Sequence, residues 1–126
     1  MKSCFKTEKG PKAIGPYSSA VRAGGYVYLS GMVGADPATG RLISDDVEAQ
    51  ARKACENIRC VLAEMSLSTD SILKTTVFLT DLNDFGKVNA IYAEFFGPDY
   101  PARSCVQVVR LPMDARVEIE AVASAE

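Results

Sequence analysis

The sequence predicts an α+β fold in a single domain spanning residues 1–126. Three observations carry that prediction. Apolar residues recur at helical spacing in two segments, near 45–65 and 83–96. Short runs rich in β-branched and aromatic residues lie before, between and after them. No linker divides the chain, and 126 residues suffice for one hydrophobic core but not for two.

The first predicted unit is a hairpin of strands 19–23 and 26–30, because the Gly24-Gly25 pair between them supplies the positive φ angles of a tight turn. Ser30-Gly31 is expected to end the second strand. The turn-forming run Asp36-Pro37-Ala38-Thr39-Gly40 then joins two short extended pieces. A first helix is expected from about Asp45, with Glu48 three residues on as a capping box and a stripe of Val47, Ala51, Ala54, Ile58, Leu62 and Met65. Residues 74–80 suit a central or half-buried strand.

The second helix should begin at Asn83 or Asp84 and stop at Gly97-Pro98. Its stripe is Phe85, Val88, Ile91, Tyr92, Phe95 and Phe96, with the amide of Asn89 partly buried at the edge. The chain is expected to finish as a second hairpin, residues 103–111 against 116–123, turned by residues 112–115. Alternation there places Val117, Ile119, Ala121 and Ala123 on one face and Glu118 and Glu120 on the other, ~7 Å apart. Two carboxylates so close are either solvated, with Arg103, Arg110 or Arg116 opposite, or belong to a site.

Composition narrows the chemistry. With 14 basic and 16 acidic residues and a net charge of −2, the chain has no overall field for phosphate backbones or anionic membranes, so neither nucleic acid nor membrane is an expected partner. Its 48% hydrophobic content is high for this size, which suggests surface buried between subunits. The first residues contain no apolar run that could serve as a secretion signal, and a cytoplasmic location is expected.

Four cysteines (Cys4, Cys55, Cys60 and Cys105) read as reduced thiols, and Cys55 and Cys60, five apart on a helix, face different ways. There is no histidine, which removes every mechanism based on imidazole and leaves a zinc site dependent on four irregularly spaced sulfurs. No metal or cofactor is expected.

Four segments nevertheless form a pattern: Ile14-Gly15-Pro16-Tyr17-Ser18; Leu29-Ser30-Gly31; the run from Lys74 through Asp81-Leu82-Asn83-Asp84-Phe85 to Val88-Asn89; and Pro101-Ala102-Arg103-Ser104-Cys105 with Leu111-Pro112 and Glu118-Ile119-Glu120. In this order they resemble the RidA family (reactive intermediate deaminase A, also called YjgF or L-PSP), over most of the chain. The resemblance implies a fold like a small chorismate mutase, a mostly antiparallel or mixed sheet with two helices on one face. It also implies a homotrimer with clefts at its subunit interfaces.

The activity it implies is hydrolysis of small 2-imino acids or their enamines, of the 2-iminobutanoate and 2-iminopropanoate type, to 2-keto acids and ammonia. Members have also been named endoribonucleases and translation inhibitors, and a non-catalytic carboxylate binder or chaperone is a further alternative. Carried over residue by residue, Arg103 holds the substrate carboxylate and Glu118 orients the attacking water. Tyr17, Ser30 and Asn89 line the cleft, Gly31 and Cys105 approach the ligand through their backbones, and Glu120 supports Glu118. The chain departs from the family at Met32-Val33-Gly34, where Gln and a Pro-containing turn are usual, and in its short loop from Gly97 to Tyr100.

Overall fold

The computed structural model describes all 126 residues. It contains six strands, β1 (Ser3–Phe5), β2 (Ala20–Ala23), β3 (Tyr26–Val33), β4 (Ile72–Leu79), β5 (Ala102–Gln107) and β6 (Val117–Ser124), and two α-helices, α1 (Val47–Glu64) and α2 (Phe85–Phe96). The strands form one mixed sheet in the order β1-β2-β3-β6-β4-β5, antiparallel except where β4 pairs with β5. Both helices pack on one face of it. The core between them is built from Val27, Leu29, Val77, Leu79, Val117 and Ile119 of the sheet and from Ala51, Ile58, Leu62, Val88 and Tyr92 of the helices.

Local chemistry explains most of the boundaries. Gly24 and Gly25, at φ 56° and 82°, make the β2–β3 turn. The Asp36–Gly40 turn closes on an isolated bridge between Ala35 and Leu42. Helix α1 is capped by Asp46, whose carboxylate accepts from the Ala49 amide at 2.9 Å, so the cap lies one residue beyond the expected Asp45 and Glu48 closes no box. A 3-10 turn over Leu82–Asp84, with the Asp81 carboxylate accepting from the Asn83 amide, leads into α2.

Two further expectations fail. Ser30-Gly31 does not end β3, which continues to Val33 through an irregularity between Leu29 and Met32 in its pairing with β6. The chain also does not finish as a hairpin. Helix α2 is a crossover that returns the chain parallel to β4, so β5 becomes an edge strand, and β6 inserts between β3 and β4. Alternation alone fits either arrangement, but the inner face of β6 is almost wholly buried while β5 is largely exposed, as centre and edge require. Met113 and Asp114, at φ 63° and 56°, turn the chain on its way into β6.

Candidate active site

Arg103 leaves the edge strand β5 on the helix side of the sheet. It pairs in register with Thr75 of β4, and side chains paired this way in a parallel ladder share a face. Its Nη1 donates to Asn89 Oδ1 at 2.7 Å, and its Cζ lies 5.3 Å from the Phe85 ring centre and 4.8 Å from that of Tyr92. The Tyr92 hydroxyl is hydrogen-bonded to Thr75 Oγ1 at 2.6 Å in the core, and burial pushes its pKa up. No carboxylate pairs with Arg103, although Arg52, Arg110 and Arg116 all have acidic partners. A fixed, uncompensated guanidinium opens on a cleft bounded by Ala93, Tyr100 and Pro101. Such a group binds a carboxylate.

The second cluster lies on the opposite, helix-free face. There Glu118 points away from the core over Gly31, where an added Cβ would stand 2.7 Å from its Cδ. Only glycine leaves that space. Burial, and secondarily the charge of Glu120, push the Glu118 pKa up, so this carboxyl takes a proton more readily than an exposed one. Tyr17, Ser30, Gly31, Met113 and Glu120 line the same cleft. The loop carrying Tyr17 is tied down from below, because Ser30 Oγ donates to the Ser18 carbonyl at 2.6 Å and the Ser30 amide to the Ser19 carbonyl at 3.0 Å.

Of the residues expected at the site, Tyr17, Ser30, Gly31 and Glu118 therefore gather on one face and Arg103 and Asn89 on the other. Arginine does not neutralise the two carboxylates: Arg103 is across the sheet, Arg110 pairs with Asp114 at 2.7 Å, and Arg116 with Asp45 at 3.3 Å. Cys105 follows Arg103 on the helix side, and burial raises its thiol pKa despite the opposing pull of that cation. Cys55 is buried, with its thiol pushed up to about 12. Neither environment favours a thiolate nucleophile. No three His, Cys, Asp or Glu side chains are placed to hold a metal ion.

The sequence places Phe85 and Tyr92 in the helix stripe and does not show their contact with Arg103. Their spacing with Asn89 was the available signal, since positions 85, 89 and 92 share one helix face. Met113 was also overlooked; its left-handed backbone conformation is not readable from residue type.

The fold and these two clusters define a small α+β protein with an arginine free of any acidic partner at the edge of its sheet and a cleft lined by two carboxylates on the face its helices leave open. The family model described as Endoribonuclease L-PSP matches residues 7–125. A RutC family protein of Pyrococcus horikoshii is 45% identical over the full length of both chains. The 2-iminobutanoate/2-iminopropanoate deaminase of Salmonella typhimurium is 48% identical over 98% of each. The crystal structure of Escherichia coli TdcF with bound serine superposes with a TM-score of 0.92 at 44% identity, covering 98% of this chain and 99% of that one. This chain belongs to the RidA (YjgF/L-PSP) family. No helix is long and apolar enough to cross a membrane.

Proposed function

We propose that the protein is a hydrolase of C=N bonds that converts small 2-imino acids, or their enamine tautomers, to 2-keto acids and ammonia. The observation that carries this reading is that one chain supplies both an Arg103 with no acidic partner and a half-buried Glu118 whose pKa is raised. The two groups meet the reaction's two needs, an anchor for the substrate carboxylate and a proton acceptor for water. The naming of the Salmonella relative and the serine bound to TdcF support a small ligand bearing a carboxylate.

The protonated imine is already electrophilic at carbon. Water attacks that carbon, a C–O bond forms, the π pair moves to nitrogen, and Glu118 accepts the proton that water releases. A proton returned from Glu118 to nitrogen makes ammonia the leaving group. The C–N bond breaks as the remaining O–H proton passes to Glu118 and the C=O bond forms; ammonia takes that proton away as ammonium, leaving the 2-keto acid and the carboxylate restored.

Arg103 and Glu118 lie on opposite faces of one sheet, so they cannot converge on one small substrate within a chain. We place the working site between copies, Arg103 from one protomer and Glu118 from its neighbour. The assembly is the homotrimer that family resemblance suggests. Tyr26, Tyr28 and Val106 support this arrangement, since they lie 46%, 48% and 44% exposed on the helix-free side of their strands, where a monomer would leave them in water. The edge position of β5 also leaves Arg103 within reach of a second chain. The direct test supplies freshly generated 2-iminobutanoate to the purified protein and follows loss of the imine; hydrolysis no faster than in buffer would sink the reading.

A further inference from the structure

We propose that one face of α2 is a clamp that presets the Arg103 guanidinium for its ligand, with Tyr92 and Phe85 as positioning residues; this rests on the reading of Arg103 as the carboxylate anchor. Positions 85, 89 and 92, spaced by four and three, present a ring, an amide and a second ring to one arginine. Asn89 takes one N–H of Nη1 and fixes the rotation of the group. The rings flank the cation through their π faces without taking up its hydrogen-bond donors, so the remaining N–H groups stay free for a carboxylate.

Two details separate this arrangement from ordinary packing. Phe85 is 40% exposed at the start of α2, so burial in the core does not account for it, and Arg103 is its cationic partner. Tyr92 is held at both ends, its ring against Phe96 at 4.4 Å between centres and its hydroxyl on Thr75, the residue that pairs in register with Arg103. The ladder that carries the arginine thus also sets the ring against which it rests. Arginine is among the side chains with most rotamer freedom to lose on binding. Holding it beforehand removes that loss from the binding step.

The test compares Phe85→Leu, Phe85→Trp, Tyr92→Leu and Tyr92→Phe in the full-length protein. Each Leu variant is expected to raise KM for 2-iminobutanoate about three- to fivefold, the worth of one exposed cation–π contact, with kcat changed less than about twofold. Phe85→Trp keeps a ring over the cation and retains the wild-type KM, whereas Tyr92→Phe keeps the ring but loses its tie to Thr75 and falls between wild type and Tyr92→Leu. Loss of packing alone would instead lower the folded fraction and kcat, leaving KM unchanged.

A second readout does not depend on turnover: the Nε–Hε resonance of Arg103 in nitrogen-15 NMR should move out of the ring-shifted region in both Leu variants. 2-Oxobutanoate, the stable keto acid, should bind them about three- to fivefold more weakly. If the wild type fails to hydrolyse imine, the proposed activity falls and the NMR and keto-acid measurements still decide the clamp. An unmoved Arg103 resonance, with unchanged KM or keto-acid affinity in both Leu variants, overturns it.

Discussion

Arg103 and Glu118 owe their proposed roles to opposite circumstances, a permanent charge left without a counter-ion and a carboxyl whose charge is discouraged. Replacing Arg103 by Lys keeps the charge but loses the planar fork and its contact with the two rings, so KM for an imino acid should rise about tenfold or more, read by initial rates. Glu118→Gln should lower kcat by roughly 10²- to 10⁴-fold, the usual worth of a positioned proton acceptor, while leaving keto-acid binding intact. It should not lower the melting temperature. A carboxyl whose folded pKa is raised opposes folding once ionised, and Gln removes that penalty.

Activity should fall as pH drops through the raised Glu118 pKa, because the base must be ionised to accept a proton. Glu120→Gln removes the second cause of the shift and should move that acid limb to lower pH. At this scale the residue types and motif order were legible, but the partners were not. Asn89 and Ser30 were expected to line the cleft, and spacing gave no sign that Asn89 also holds Arg103 and the Ser30 hydroxyl the Tyr17 loop. Hydrogen bonds between residues a dozen or more positions apart do not show in spacing.

Among the elements, α1 joins the sheet through polar side chains that its apolar stripe did not reveal. Gln50 is fully buried, donating to the Ser44 carbonyl and accepting from the Arg116 amide, both at 2.8 Å. Asn57 donates to the carbonyls of Val33 and Ala35 at 3.2 and 2.9 Å, which anchors the end of β3 just past Gly31. Asn57→Leu would leave both carbonyls without that donor and should destabilise the fold by about 1–3 kcal/mol, measured by urea unfolding. The helices, the first hairpin and β4 were readable because period 3.6, period 2 and a Gly-Gly turn each leave a local mark. The order of β5 and β6 was not, since strand alternation is the same for a hairpin partner and for a central strand fed by a crossover.

For the whole molecule, the topology has a chemical consequence. The α2 crossover leaves β5 at the edge and β6 in the centre, and alternation along them turns Arg103 to the helix face and Glu118 to the open face. On the proposed reading a lone chain holds two half-sites, and Tyr26, Tyr28 and Val106 on its open face stand in water. The most direct measurement is complementation between two inactive proteins, Arg103→Ala and Glu118→Gln, unfolded together at equal amounts and refolded. If each site draws its arginine and its carboxylate from different chains, random assembly leaves about one quarter of the sites with both groups intact, and a corresponding share of wild-type imine hydrolysis returns. Activity no greater than that of the two variants refolded separately, from mixed oligomers of confirmed composition, would contradict a site shared between chains.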